Sequence, residues 1–198
     1  KSISGKPLVV HVHATEFDRT GGHGVNQYVY TLEREGMLTA DSVITVSNFT
    51  KNKIIQHYGI NPDKINVVHN AVECDNNLNK EMLSIKNHAK VVLFLGRITL
   101  QKGPDYFLYA AKKVLKYDPN VRFIIAGSGD MEAFIIEKAA ELGIADKVLF
   151  AGFLRGEEVD TAYQMADLYV MPSVSEPFGL TPLEAMKNKT PVMISKQS

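Results

Sequence analysis

Three features that would assign a chain to a particular class of protein are scarce or missing in this sequence. The one cysteine, Cys74, cannot form an internal disulfide, so a reducing, cytoplasmic setting is expected. No apolar run approaches the roughly 20 residues that span a bilayer. The 22 basic and 22 acidic residues balance, so bulk attraction to nucleic acid is not expected. With 45% hydrophobic residues among 198, the chain is predicted to be globular, with one large domain or two small ones.

Several catalytic signatures are also absent. The sequence has no Gly-x-x-x-x-Gly-Lys-Ser/Thr phosphate-binding loop and no Gly-x-Ser-x-Gly nucleophile elbow. It has no Asp-x-Asp, so the usual cue for a metal-held nucleotide diphosphate is missing. Residues 127–130 read GSGD and resemble a dinucleotide fingerprint without its third glycine. A tight turn between a strand and a helix, with Asp130 as the helix cap, is the favoured interpretation, and a nicotinamide dehydrogenase is disfavoured.

The first 72 residues alternate between strand and helix patterns. The predicted strands are residues 8–14, buried on both faces, 43–46 and 65–68. Residues 15–24 hold three glycines and are predicted to be a loop, followed by a helix at 25–40. Ser47 is the expected N-cap of a second helix, which runs through Tyr58 and ends at Gly59. Strands and helices at this spacing indicate a parallel sheet.

The second half alternates more regularly. Residues 73–89 lie in a stretch rich in Asn, Lys and Glu and are the predicted linker. Beyond it, strands are predicted at 91–95, 121–126, 148–150, 168–171 and 191–194, and helices at 104–116, 130–142, 157–166 and 180–188. This pattern predicts a doubly wound α/β domain, in which ligands bind at the carboxyl ends of the strands.

The most informative stretch is residues 175–186, which read SEPFGLTPLEAM. Glu176 precedes a predicted helix start and Glu184 lies on the helix. The backbone N–H groups of Gly179, Leu180 and Thr181 are expected to point out of the helix N-terminus, where an anion such as phosphate binds well. Carboxylates on both sides of an anion site suit a ligand that is phosphorylated and hydroxylated, such as a nucleotide sugar. The alternative is a helix-start carboxylate and a solvated helix face.

Two cations follow the first strand of the second half, on the loop GRITLQKG. Arg97 and Lys102 could hold a diphosphate and stabilise a leaving phosphate without a metal. Gly96 and Gly103 flank them and would let the backbone approach a ligand. A solvated pair of loop charges explains this loop equally well.

Two histidines, His11 and His13, lie two residues apart on the first predicted strand and so should face the same side. They could chelate a metal, but no third ligand is evident. A structural histidine at the open edge of the sheet is the equally weighted alternative.

Three motifs, taken in their order and spacing, resemble the retaining glycosyltransferases of the two-Rossmann-domain (GT-B) type, which include glycogen and sucrose synthases: GRITLQKG, AGSGD and SEPFGLTPLEAM. Three upstream segments are similar to the late N-domain and domain crossing of that group: VHVHATEFDRTGG, ADSVITVSNFTKNKI and INVVHNAVE. The resemblance implies part of an N-terminal Rossmann-like domain at 1–72 and most of a nucleotide-sugar domain at 90–198. Because the chain begins at Lys1, it is expected to be part of a longer protein.

The resemblance also implies roles for individual residues. Glu176 would lie by the hydroxyls of the donor sugar, and His13 would face the transferred sugar. Arg97 and Lys102 would neutralise the diphosphate, and Glu184 would bind the ribose hydroxyls. The remaining donor contacts would come from Gly96, from the region of Leu154 that holds the base, and from Gly179, Leu180 and Thr181.

The implied reaction moves a hexosyl group from a UDP-, ADP- or GDP-linked sugar to an acceptor hydroxyl with retention of configuration. No metal and no cofactor are expected. The acceptor would be a carbohydrate or glycoconjugate, with a glucan favoured by HATEFDRTGG and FGLTPLEAM. Peripheral membrane association is compatible with this function. The alternatives are a catalytically silent nucleotide-sugar-binding protein and a GT-B-like epimerase or phosphorylase.

Overall fold

A computed structural model describes residues 5–21, 24–73 and 89–196. The linker predicted at 73–89, apart from its two end residues, lies outside the described residues. The chain divides into two compact units, the first comprising Lys1–Asn70 with Ser175–Phe178 and the second Ala71–Val174 with Gly179–Ser198. Within the described ranges, no helix combines the length and the apolar character that crossing a membrane requires.

The first unit contains a three-stranded parallel sheet. Its strands are β1 (Val9–Val12), β2 (Ser42–Thr45) and β3 (Ile65–Val67), in the order β1-β2-β3. Its helices are α1 (Glu16–Arg19), α2 (Gln27–Thr39) and α3 (Asn48–Tyr58). The parallel arrangement predicted from the sequence is confirmed. The core of this unit combines residues from α2, α3 and the strands: Met37, Ala40, Val43, Ile54, Tyr58, Ile60 and Ile65.

The ends of α3 follow from two residues. The hydroxyl of Ser47 accepts a hydrogen bond from the Thr50 N–H at 3.1 Å and so satisfies one of the helix's first donors. At the other end, Gly59 adopts φ 67°, a left-handed conformation in which a glycine readily ends a helix. The predicted cap and the predicted stop are both confirmed.

Two predictions for the first unit are wrong. The first strand is not buried on both faces in this chain, because no residue of Val9–Val12 is buried and Val9 is 54% exposed. Residues 15–24 are not simply a loop, because they contain α1. Glu16 and Asp18 of this helix are buried and hydrogen-bonded to other charged side chains of the unit.

The second unit contains a five-stranded parallel sheet. Its strands are β4 (Val91–Leu95), β5 (Arg122–Ala126), β6 (Val148–Gly152), β7 (Leu168–Met171) and β8 (Val192–Ile194), in the order β6-β5-β4-β7-β8. Its helices are α4 (Pro104–Val114), α5 (Glu132–Glu141), α6 (Glu157–Met165) and α7 (Leu180–Lys187). All its strand pairs are parallel, as predicted.

The helices of the second unit cover both faces of the sheet. One buried cluster contains Phe107 of α4 and Ile135 of α5, and a second contains Tyr163 of α6 and Ala185 of α7. The chain therefore winds outward in both directions from β4, which confirms the predicted doubly wound fold. Where the strand order reverses, beside β4, the carboxyl ends of the strands leave a crevice that is the usual place for a ligand.

Candidate functional site

A cavity of about 320 Å³ opens at the carboxyl edge of the second sheet. Residues at the ends of β4, β5 and β6 and at the start of α7 line it: Leu95, Gly96, Arg97, Lys102, Ala126, Gly127, Ser128, Phe153, Leu154 and Thr181. Its walls are mainly apolar, and its charged groups are two cations. A volume near 300 Å³ is at the small end of the range for ligand sites, so the cavity can hold part of a nucleotide.

Two glycines let the loops that follow β4 and β5 pack backbone against backbone. A Cβ on Gly127 would lie 1.9 Å from the carbonyl oxygen of Gly96, and one on Gly129 would lie 2.2 Å from that of Ile98. The Ile98 N–H donates to the Ser128 carbonyl at 2.9 Å. The GSGD motif therefore supports a close loop contact, in agreement with the predicted tight turn.

The predicted cap of α5 is wrong. Met131 occupies the N-cap position and makes no side-chain capping hydrogen bond, so Asp130 does not cap this helix. Instead, the Met131 N–H donates to the carbonyl of Ile98 at 3.1 Å. A backbone carbonyl of the neighbouring loop therefore takes the place of the side-chain acceptor that the sequence suggested.

The two cations lie on the loop after β4. Arg97 is exposed, and its Nη2 donates to Oε1 of Gln101 at 3.2 Å. Gln101 is only 4% exposed, so a buried amide orients the guanidinium. Lys102 is half-buried and ends the 3-10 turn Leu100–Lys102. Two positive charges on an apolar cavity favour an anionic ligand.

The start of α7 also contributes to the wall of the cavity. Gly179 is the N-cap residue and adopts φ 84°, a left-handed conformation that favours glycine. Thr181 lines the cavity, whereas Leu180 is 41% exposed and is not part of the lining. The buried hydroxyl of Tyr169 lies 2.7 Å from the Thr181 hydroxyl and 3.2 Å from the carbonyl oxygen of Leu95. Tyr169 therefore joins the end of β4 to the start of α7.

Glu184 lies one turn further along α7 and is not among the residues that line the cavity. The Tyr163 hydroxyl donates to its Oε2 at 3.0 Å. Burial, together with the electrostatic effect of Tyr169 and of the Glu184 carboxylate, raises the pKa of Tyr163 above its ordinary value. Tyr163 therefore remains a donor at neutral pH and holds the carboxylate of Glu184 in one orientation.

Glu176 belongs to the first unit, in the segment Ser175–Phe178. It is 8% exposed. The Ser47 hydroxyl donates to the carbonyl of Pro177 at 2.5 Å, and the rings of His69 and Phe178 stack with their centroids 5.7 Å apart. The backbone on the C-terminal side of Glu176 is thereby anchored to its unit.

His13 is also in the first unit. Its ring centroid lies 4.1 Å from that of His11, and both side chains are exposed. The two rings therefore lie side by side, as the spacing of two predicts. Over the described ranges, no group of three His, Cys, Asp or Glu side chains is arranged to hold a metal ion.

The structure thus brings five of the proposed site residues together around one cavity: Gly96, Arg97, Lys102, Leu154 and Thr181. Two residues that position this group were missed from the sequence, namely Gln101 and Tyr169, and so was Tyr163, which contacts Glu184. The sequence signal that could have found these residues is a side chain with a hydroxyl or amide group among apolar residues that are expected to be buried. Such a group needs a hydrogen-bond partner when it is buried. Phe153 was also missed. It is 63% exposed beside the cavity and carries the guanidinium of Arg155 5.3 Å from its ring centroid.

Two family models match the chain. The model of the Glycosyl transferases group 1 matches residues 75–198, and that of Glycosyltransferase Family 4 matches residues 1–76. An uncharacterized glycosyltransferase of Methanocaldococcus jannaschii is 36% identical over 98% of this chain. A D-inositol 3-phosphate glycosyltransferase of Segniliparus rotundus is 34% identical over 99% of it. The chain covers 53% and 47% of these two relatives, about half of their length.

Solved structures show the same fold. Anabaena Alr3699/HepE in complex with UDP-glucose superposes with a TM-score of 0.86 at 22% identity, covering all of this chain and 55% of that one. A sucrose-phosphate synthase from Thermosynechococcus elongatus superposes with a TM-score of 0.77 at 22% identity, over 95% of this chain and 50% of the other. The fold is therefore the GT-B fold that the motifs predicted.

Proposed function

Since the chain belongs to the group 1 glycosyl transferases, we propose that its second unit binds the nucleoside diphosphate of a nucleotide-sugar donor and that the full-length protein is a retaining hexosyltransferase. The observation that carries this proposal is the convergence of Arg97, Lys102 and Thr181 on one cavity at the reversal of the strand order. Such a crevice is where nucleotides bind in doubly wound folds.

The cations have a defined task in this reaction. Departure of the nucleoside diphosphate leaves negative charge on its β-phosphate, which Arg97 and Lys102 are proposed to stabilise. The N-terminus of α7 at Gly179 and Leu180 adds positive potential. These groups supply the charge that a metal ion would otherwise provide, so neither a metal nor a cofactor is part of the proposal.

The nucleoside is assigned to the other end of the cavity. Leu154 and the exposed ring of Phe153 offer an apolar surface against which a base can stack. Glu184, oriented by Tyr163, is proposed to accept hydrogen bonds from the ribose hydroxyls. We expect uridine to be the preferred nucleoside, because the structure with a TM-score of 0.86 is a UDP-glucose complex.

The sugar is assigned to Glu176 and His13 on the basis of their motifs. Retaining transfer passes through a positively charged, oxocarbenium-like sugar. Glu176 is proposed to orient the sugar hydroxyls and to stabilise that charge, without forming a covalent bond. The acceptor is proposed to be a carbohydrate or polyol hydroxyl, and the names of the D-inositol 3-phosphate glycosyltransferases favour a phosphorylated polyol over the predicted glucan.

Calorimetric titration of the full-length protein with UDP, ADP and GDP in the presence of EDTA tests the binding half of the proposal. We expect UDP to bind at least about tenfold more tightly than the other two nucleotides, a difference of about 1.4 kcal/mol, because the expectation of uridine rests on the UDP-glucose complex of the similar structure. Uridine is the matched control, because it keeps the base and ribose but lacks the diphosphate. Equal affinity for uridine and UDP would contradict the role given to the cations.

A further inference from the structure

A buried carboxylate in the first unit has a complete set of hydrogen-bond donors. Asp18 is fully buried. Its Oδ2 accepts from the N–H and the hydroxyl of Thr15 at 2.8 and 2.9 Å, and its Oδ1 accepts from Lys53 Nζ at 2.5 Å and from the hydroxyl of Ser175 at 2.8 Å. The carboxylate thus connects α1, α3 and the segment that carries Glu176.

Lys53 completes this arrangement. Its side chain is 14% exposed, and its Nζ donates to the Ser175 hydroxyl at 3.1 Å as well as to Asp18. The ammonium also lies 4.5 Å from the ring centroid of Phe49. Asp18, Lys53 and Ser175 therefore form a closed triangle, called here the Asp18 cluster, in which the serine hydroxyl both accepts and donates.

The charge state of the cluster is defined. Burial by itself raises the pKa of Asp18, but the hydrogen bonds from Lys53, Thr15 and Ser175 and the charge of Lys53 outweigh it and lower that pKa below its ordinary value. Asp18 is therefore an anion at neutral pH. A buried ion pair is a poor source of stability, because desolvation offsets its attraction, but it imposes a specific geometry.

That geometry fixes the backbone next to Glu176. Ser175 is held through its hydroxyl by the Asp18 cluster, and the carbonyl of Pro177 is held by Ser47. The residue between the two anchors is Glu176. We propose that Asp18 and Lys53 are positioning residues that set the orientation of the Glu176 carboxylate through Ser175. This inference rests on the proposed function, in which Glu176 acts on the transferred sugar.

The test compares variants of the full-length protein in sugar transfer and in UDP binding. Ser175→Ala removes one hydroxyl and leaves the ion pair in place, and Lys53→Met removes the cation. We expect each to lower kcat by about 10- to 100-fold, as a displacement of about 1 Å can do. The KM for the donor and the affinity for UDP should stay within about threefold, because the cations of the nucleotide cavity are unchanged.

Lys51→Met is the matched control. Lys51 lies on the same helix and donates to the carbonyl of Ile65 at 2.8 Å, away from the Asp18 cluster. The Lys51→Met variant should transfer sugar at the wild-type rate. Lys53→Arg should recover part of the activity lost in Lys53→Met, because a guanidinium can still donate to both Asp18 and Ser175. A merely structural role for Lys53 predicts a loss of thermal stability without this split between kcat and KM.

The outcomes separate the inference from the function on which it rests. If Ser175→Ala and Lys53→Met transfer sugar at the wild-type kcat, or if Lys51→Met loses as much activity as Lys53→Met, the positioning role is overturned and the proposed function stands. If the wild-type protein binds UDP but transfers no sugar to any acceptor, the proposed function fails and the positioning role fails with it.

Discussion

Replacing Glu176 with glutamine is expected to lower kcat for sugar transfer by about 10²- to 10³-fold, the usual loss when one preorganised electrostatic group is removed from a transition state. The change removes a negative charge and keeps the volume of a side chain that is 8% exposed. Affinity for UDP should change by less than about threefold, because the carboxylate is proposed to act on the sugar and not on the diphosphate. Initial rates and a UDP titration measure the two effects separately.

Glu157→Gln is the control for this experiment. Glu157 is an exposed residue in the first turn of α6, and its substitution should leave kcat unchanged. An unchanged kcat in Glu176→Gln would remove Glu176 from the site. A variant that also loses UDP affinity would indicate that the substitution has disturbed the fold, and the melting temperature would then fall as well.

Removing either cation of the cavity should weaken both donor binding and transfer. For Lys102→Ala and Arg97→Ala we expect kcat/KM for the donor to fall by about 10²- to 10³-fold, because each charge is proposed to bind the diphosphate more strongly as it leaves. Arg97→Lys should recover little of the loss if the guanidinium binds two phosphate oxygens at once. Affinity for uridine should not change in these variants, because it carries no diphosphate.

Two basic residues of the same unit serve as controls. Arg122 is exposed at the amino end of β5, opposite Val91 in the register of the sheet, and Lys113 is exposed on α4. Their alanine variants keep the net charge of the test variants but leave the carboxyl edge intact. If Arg122→Ala lowers kcat/KM as much as Arg97→Ala, general electrostatic attraction of the donor explains the effect and the assigned contact is wrong.

The sequence predicts best those helices and strands whose bounds are set by residues nearby in the chain. β4 and β7 have the predicted bounds, because apolar runs in a parallel sheet are flanked by polar turns. The ends of α3 were predicted from Ser47 and Gly59, whose effects reach only a few residues along the chain. Gly96, Arg97 and Lys102 could be named because they follow a predicted strand, and the carboxyl ends of parallel strands meet at one edge. Thr181 was named from a predicted helix start, and Leu154 from the resemblance to the GT-B glycosyltransferases.

The missed features depend on partners that are distant in the sequence. Asp18 and Ser175 are 157 residues apart, and no periodic pattern links them. The composition of residues 15–24 therefore predicted only a loop, although Glu16 and Asp18 are buried and accept hydrogen bonds. The interpretation of Asp130 failed for a related reason. The acceptor that replaces the side-chain cap is a backbone carbonyl of another loop. Every residue has a backbone carbonyl, so the type of residue in the sequence does not indicate this contact.

The most direct test of the central claim is the anomeric configuration of the product formed by the full-length protein from an α-linked UDP-hexose, measured by proton NMR with EDTA present. A retaining transferase that uses Arg97 and Lys102 in place of a metal should give an α-linked product at an undiminished rate. A β-linked product, or an activity that EDTA abolishes and Mg²⁺ restores, would contradict this account.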